Sequence, residues 1–295
     1  MLEFRNPVLE DKLWAGKILK SSSFYGCEYT FGNIMMWHEV YKNKIARFED
    51  FLVTCSHGDQ IMFALPAGEG DLKKIISEME NYAASLGQKL KIFGVTEKSM
   101  DALEKLFPGK FTFTMHRGSC DYIYLTEKLA QLKGKKFHGK RNHIAAFEKA
   151  FPQWKYHEID KSNIDLCIDM NRRWEKENLE RNPRDLSNEQ KAISIAFENF
   201  FDLGLVGGFI TANDSVVAYT IGEEINSEVF CTHIEKAFGD VRGAYPIINR
   251  EFAKNTICSY KYVNREEDLG EEGLRKAKLS YQPDILLEKY TAEVQ

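Results

Sequence analysis

The sequence predicts an α+β fold with mixed sheets, built twice in tandem. Three observations carry that expectation. The same order of elements can be read at 44–125 and again at 204–291: a hairpin, a further strand, a helix, a strand, a helix and a closing strand. A length of 295 residues fits two domains of ordinary size. Hydrophobic content of 43%, with 13% aromatic residues, is ample for packed cores. The repeat lies in pattern and not in residue identity. The expected units are residues 1–130 and 131–295, and a cleft between two such units is a natural seat for small-molecule chemistry.

In the first unit, 45–48, 51–54 and 61–65 alternate apolar and polar positions, with turn signals at Glu49-Asp50 and His57-Gly58-Asp59. Apolar residues at Leu72, Ile75, Ile76, Met79, Tyr82, Ala83 and Leu86 have helical spacing, stopped by Gly87. Residues 90–93 predict a short strand and 97–107 a helix ended by Pro108-Gly109. Two strand pieces, broken near Gly118, are expected in 111–125.

The stretch 126–150 reads as basic and helical, with Thr126 and Glu127 at its first turn and Gly134 dividing it. A strand is expected at 154–157 and helices at 162–180 and 187–203. Ser187-Asn188-Glu189-Gln190 has capping-box spacing, and Asn182-Pro183-Arg184 reads as a loop. The second unit then predicts strands at 205–211, 216–222 and 228–234, and a helix opened by Pro246. A strand at 260–263, a helix at 271–279 and a last strand at 285–287 complete it.

The net charge of −4 points to no partner, but it hides a local excess. Between Lys128 and Phe147 there are six basic residues and no acid. The cysteines at 27, 55, 120, 167, 231 and 258 form no CxxC pair and no metal spacing, so buried free thiols in a reducing cytoplasm are expected, and no metal. The N-terminus has no apolar run of a signal peptide, and no segment has the length of a transmembrane helix. A cytoplasmic location is the expectation.

Candidate chemistry concentrates in the second unit. The loop Phe238-Gly239-Asp240-Val241-Arg242-Gly243-Ala244-Tyr245-Pro246 leaves a strand and opens a helix. Its glycines permit close approach of a ligand, and the amides of a helix start favour an anion. An ordinary strand–helix turn has the same composition. Arg275 and Lys278 share a helical face and could grip a phosphate, while Lys276 points elsewhere. The acids Glu266, Glu267, Asp268, Glu271 and Glu272 could instead neutralise them on a solvated surface. His233 and Glu235 point to one strand face, opposite Ile234, and near a cleft could accept a proton from an amine. A hydrogen-bonded structural histidine fits the same pattern. Lysines at 128–147 suit either a solvated helix or an RNA backbone. No GxSxG, HExxH or P-loop occurs, which argues against the common serine hydrolases, zinc proteases and nucleotide triphosphatases.

Taken together, several segments resemble the soluble domain of bacterial phosphatidylglycerol lysyltransferases, a branch known as DUF2156, and more distantly the Fem-type aminoacyltransferases. They are residues 132–144 (Leu-Lys-Gly-Lys-Lys-Phe-His-Gly-Lys-Arg-Asn-His-Ile), 233–237 (His-Ile-Glu-Lys-Ala), 242–245 (Arg-Gly-Ala-Tyr) with 249–252, and 263–270 with 273–281. The last stretch is similar to the Fem-type pattern of Gly-Leu, two residues, Phe-Lys, one residue, Gly-Phe. Lys278 falls on its lysine, and the chain departs from the pattern at Ala277, Ser280 and Tyr281.

The resemblance implies two tandem domains like the Gcn5-type N-acetyltransferases, the first without a cofactor loop of its own and the second carrying the site. It implies acyl transfer from an aminoacyl-tRNA ester to a lipid head group, peptide or small-molecule acceptor, with no bound cofactor. The residues it singles out are His233 or Glu235 as proton acceptor or amine positioner. Arg242, Gly243, Ala244 and Tyr245 would hold an anion, and Arg275 with Lys278 a phosphate or developing charge. Glu267 and Asp268 would recognise a cationic aminoacyl group, and Lys135, Lys136, Lys140 and Arg141 the tRNA. Members of that family usually carry a membrane part ahead of this domain. This sequence begins almost at the first unit, so no residue here supports a lipid acceptor. Two further readings stay open: an acyl-CoA-dependent N-acyltransferase using the 242–245 loop, and a non-catalytic binding module derived from a transferase.

Overall fold

Two helices to which the periodicity gave no signal come first, α1 (Lys12–Ser21) and α2 (Phe31–Tyr41), the latter capped by Thr30, whose hydroxyl accepts from the Asn33 amide. The computed structural model describes residues 2–179 and 183–295. The chain continues through β1 (Asn43–Phe48), β2 (Phe51–His57), β3 (Ile61–Ala64), β4 (Ala67–Gly68), α3 (Leu72–Ser85), β5 (Lys91–Val95), α4 (Glu97–Leu106), β6 (Phe111–Met115) and β7 (Asp121–Leu125). Then come α5 (Thr126–Gln131), α6 (His138–Ala150), β8 (Lys155–Glu158), α7 (Ile164–Leu179) and α8 (Pro183–Glu198). The last part is β9 (Val206–Ala212), β10 (Ser215–Glu224), β11 (Val229–Ala237), α9 (Ala244–Asn255), β12 (Tyr262–Asn264), α10 (Glu272–Leu279), β13 (Ile285–Leu287) and β14 (Tyr290–Val294).

Most strands and helices fall where the pattern puts them. Two differ in an instructive way. α8 starts at Pro183, so Ser187 lies inside a helix and does not cap one; Pro183 and Arg184 belong to α8, and Asn182 of the expected loop lies outside the described residues. β14 has no counterpart in the sequence reading, which ends at 285–287.

The two sheets have one topology. The first runs β1-β2-β3-β5-β14-β6, with β4 beside β2; the second runs β13-β7-β12-β11-β10-β9-β8. In each, an antiparallel three-strand meander meets a fourth strand in parallel: β3 with β5, and β11 with β12. The rest of each sheet pairs antiparallel. This is one α+β topology used twice.

The duplication includes an exchange. β7, from the first half of the chain, sits between β12 and β13, while β14, from the end, sits between β5 and β6. Each unit therefore lends the other the strand at the equivalent place. A cut at residue 130 does not follow the sheets, because β7 belongs with the second and β14 with the first. One core lies under the first sheet, around Val53, Phe63, Ile75, Met79 and Ile92. A larger one joins α2 to the second sheet through Met36, Tyr122, Phe209, Tyr219 and Ile247.

Candidate functional site

The parallel strands β11 and β12 pair for three residues only, Val229 to Cys231 against Tyr262 to Asn264. Beyond that point they part. Open sheets present ligands at such carboxyl ends of parallel strands. Here charged side chains span the gap: His233 reaches Glu266 at 2.8 Å, and Glu235 reaches Arg265 at 2.8 Å. β11 carries a bulge where its register against β10 slips, with Thr232 facing Gly222 and Ile234 facing Ile221. His233 is the extra residue, a device that re-aims a side chain.

His233 is held at both ring nitrogens. Nδ1 lies 2.8 Å from Glu266 Oε1, and Nε2 lies 3.1 Å from Glu223 Oε1 on the neighbouring strand. Burial alone would lower its pKa, but Cys231 at 3.6 Å and the two carboxylates raise it well above the ordinary histidine value. As an imidazolium donating from both nitrogens, it offers no lone pair to an incoming amine. Glu266 has left-handed backbone, φ +59°, and its amide donates to Asn264 Oδ1 at 2.7 Å. Non-glycine residues held in that region cluster at functional sites.

On the other side of the gap, Glu235 is bracketed. Arg265 Nη2 donates to Oε1, and Asn249 Nδ2 on α9 donates to Oε2 at 3.2 Å. Arg265 Nη1 and Asn249 Oδ1 are buried with no hydrogen-bond partner in the protein. The Tyr281 ring lies between two cations, with Arg265 Cζ 4.8 Å and Lys140 Nζ 3.7 Å from its centroid. Burial, then the charge of Arg265, lowers Lys140 to about 8. Lys140 thus belongs to this junction, one helical turn inward from the exposed Lys136. Lys135 and Lys136 are exposed, whereas Arg141 Nη1 is spent on the carbonyls of Leu132 and Gly134.

Arg275 and Lys278 do share a face of α10, as their spacing predicts, and that face grips protein. Arg275 binds Asp268 through two bonds of 2.8 and 3.0 Å. Asp268 also accepts from Tyr122 at 2.6 Å and Arg117 at 3.2 Å. Burial would raise its pKa, but these donors hold its carboxyl well below the usual range. Asp268 is fully buried, so it braces a loop and does not face a substrate. Lys278 is also buried, and its ammonium donates to the carbonyls of Arg265 and Glu266. It fixes the two residues that bridge the gap.

Below this layer is a second charged cluster. Lys289 Nζ lies 2.6 Å from Glu28 and 2.8 Å from Asp121, and Cys27 Sγ lies 3.4 Å from Glu267. Burial raises Glu267 to about 7, against the pull of Lys289. Asn264 joins the clusters, giving 2.8 Å to Asp121 and receiving the Glu266 amide.

The 238–245 loop is closed. A Cβ on Gly243, φ +89°, would lie 2.3 Å from the His143 carbonyl oxygen, so α6 packs directly on the start of α9. The Ala244 amide donates to Val241 O at 3.1 Å and is not available to an anion. Arg242 and Tyr245 remain exposed. Two open recesses, of about 500 and 450 Å³, are lined by residues such as Arg173 and Thr211, and by Thr126 and Lys254. No residue of the charged gap lines either one.

Glu223 did not stand out in the sequence, Asn249 and Arg265 lay in the segments that carry the resemblance but were given no role, and Lys140 was not placed in a pocket. Their partners are 10 to 125 residues away, and only the parting of β11 and β12 brings them together. Cys231-x-His233 on one strand was a readable same-face pair; Glu266, 33 positions on, was not.

No helix among the described residues is long and apolar enough to cross a membrane. Against known proteins, the chain is 40% identical to a conserved protein of unknown function from Bacteroides thetaiotaomicron, over the whole of both chains, with a TM-score of 0.95. It superposes at 0.69 on a C-terminal domain (DUF2156) ascribed to a lysylphosphatidylglycerol synthetase of Agrobacterium fabrum, at 11% identity over 96% of this chain and 91% of that one. With L-PGS from Bacillus licheniformis the TM-score is 0.65 at 14% identity, covering 95% and 90%. Both likenesses are of fold. An uncharacterized protein of Mycoplasmoides gallisepticum is 26% identical over 188 residues, which span 61% of this chain and 58% of that protein. The profile of the phosphatidylglycerol lysyltransferase C-terminal domain matches residues 19–293. The chain belongs to that family.

Proposed function

We propose that the protein transfers an aminoacyl group from an aminoacyl-tRNA ester to a hydroxyl or amine acceptor, at the point where β11 and β12 part. The observation that carries this reading is the pair of unpartnered buried atoms flanking Glu235. Arg265 Nη1 is a donor and Asn249 Oδ1 an acceptor. An aminoacyl ester carries the complements, a carbonyl oxygen and an α-ammonium three bonds apart. The family name favours a phosphatidylglycerol hydroxyl as acceptor and lysine as the group moved.

The ester is already activated, so direct attack suffices. The acceptor's O–H or N–H adds to the ester carbonyl, and its proton passes to neutral Lys140. Arg265 Nη1 stabilises the oxyanion. The carbonyl re-forms as the tRNA 3′-terminal oxygen leaves, taking the proton back from Lys140. Exposed Lys133, Lys135 and Lys136 lie just ahead of Lys140 and suit the phosphates of the RNA end. His233 and Lys278 act as positioning residues, holding Glu266 and the backbone of Arg265. The closed 238–245 loop weighs against a CoA pyrophosphate.

The test is incubation with tRNA charged with a labelled amino-acid mixture, beside phosphatidylglycerol vesicles. Loss of one aminoacyl group from tRNA, with label gained by the lipid, is the expected outcome. Binding of charged tRNA with no loss of any aminoacyl group to any acceptor would leave a binding module. Acetyl transfer from acetyl-CoA alone would replace the reading.

A further inference from the structure

Three unlike ligand types meet on the far side of the gap. Cys231 Sγ is 3.6 Å from His233 Nδ1 and 3.9 Å from Glu266 Oε1, and those two atoms are 2.8 Å apart. All three lie within 4.8 Å of one another. A tetrahedral zinc with ordinary bond lengths would separate sulfur and nitrogen by about 3.5 Å, sulfur and oxygen by about 3.6 Å, and nitrogen and oxygen by about 3.4 Å. The first separation already fits, and the other two fit once the Glu266 carboxylate swings by about half an ångström. Its side chain is 19% exposed, against 1% for His233, so Glu266 is both the mobile ligand and the way in.

The surroundings are those of a metal-binding histidine. The other ring nitrogen, Nε2, faces Glu223 Oε1 at 3.1 Å, the carboxylate–histidine arrangement that fixes tautomer and orientation behind a metal. Glu223 is fixed in turn by the Asn33 amide at 3.2 Å. The bulge at His233 and the left-handed backbone at Glu266 both aim side chains at this point.

We propose that Cys231, His233 Nδ1 and Glu266 bind one zinc-type divalent cation, with Glu223 as the outer partner of the histidine. Charge balances. The incoming dication displaces the Nδ1 proton of the imidazolium and the Cys231 thiol proton, both of which go to solvent, and the net charge of the site is unchanged. Thiolate and imidazole together select zinc over magnesium or calcium. The fourth position is left to water. The site shares His233 and Glu266 with the bridge across the gap, but none of its ligands touches the proposed aminoacyl group, so metal binding is read apart from transfer.

Cobalt(II) and zinc(II) alone are the probes. The full chain, treated with chelator and then titrated with cobalt(II), is expected to bind one equivalent and to show a thiolate-to-cobalt charge-transfer band, which zinc(II) abolishes by competition. Cys231→Ser is expected to lose the band, and Cys55→Ser and Cys258→Ser to keep it. Glu223→Gln should keep the band with about 10–100-fold weaker binding, because it removes the outer partner and no ligand. Absence of the band in the wild type, or its persistence in Cys231→Ser, or its loss in Cys258→Ser, overturns the proposal. Should Cys231→Ser fail to fold, unchanged cobalt affinity in Glu223→Gln overturns it equally.

Discussion

Lys289 places its ammonium 2.8 Å from the Asp121 carboxylate, and these two residues stand at the starts of the exchanged strands: Asp121 opens β7, and Lys289 immediately precedes β14. Both side chains are buried, and Glu28 completes the cluster at 2.6 Å. Burial would lower the Lys289 pKa, but Asp121, Cys27 and Glu28 raise it well above the ordinary lysine value. Its charge is thereby locked where the chain crosses between sheets. Lys289→Met strands two carboxylates and should cost about 3–5 kcal/mol in urea unfolding. The double variant Lys289→Met/Asp121→Asn should cost less than the sum of the single changes.

Gly243→Ala should destabilise by about 2–4 kcal/mol, because the new methyl meets the His143 carbonyl and the backbone there is left-handed. A thermal melt reads the change. Arg242→Ala, at an exposed neighbour, should leave the melt unmoved.

Much of this fold was legible because strands and helices of ordinary length leave periodic traces. Residues 204–291 show it best, with β9 to β13 and both helices near their expected places. The exchange was not legible. Tyr290 to Val294 has strand-like composition, but nothing local says that it pairs with Lys91–Val95 and Phe111–Met115, some 175 to 200 residues earlier. The site was half legible. His233 and Glu235 do face the gap, and Arg275 and Lys278 do share a face. Helical spacing cannot say whether a cation meets a phosphate or a buried Asp268, and it put Lys140 on the surface with Lys136.

Lys278→Met removes the ammonium that holds the Arg265 and Glu266 carbonyls. The Glu266 carbonyl keeps the Tyr122 amide at 3.1 Å, but the Arg265 carbonyl loses its donor, which should cost about 1–3 kcal/mol of stability. Transfer should slow through kcat, while the KM for charged tRNA changes little, because the exposed lysines at 133, 135 and 136 are untouched.

Lys140 makes two pH predictions. As a base it works when neutral, so the transfer rate should climb with pH and level off above about 8, and Lys140→Met should lack that limb. For stability, the folded pKa lies below the ordinary 10.5, so the unfolded chain binds more protons between the two values. Wild-type stability relative to Lys140→Met should therefore rise as pH increases across that window, as read by urea titrations at several pH values.

The most direct measurement is single-turnover transfer from charged tRNA by wild type, Arg265→Met and Asn249→Leu, each shown to be folded by circular dichroism. Loss of the oxyanion donor should slow the chemical step about 10²–10³-fold in Arg265→Met, with charged-tRNA binding retained. Asn249→Leu should lose the distinction between an aminoacyl ester and its N-acetylated form. Wild-type rates in both variants would contradict the assignment of the reacting group to the gap between β11 and β12.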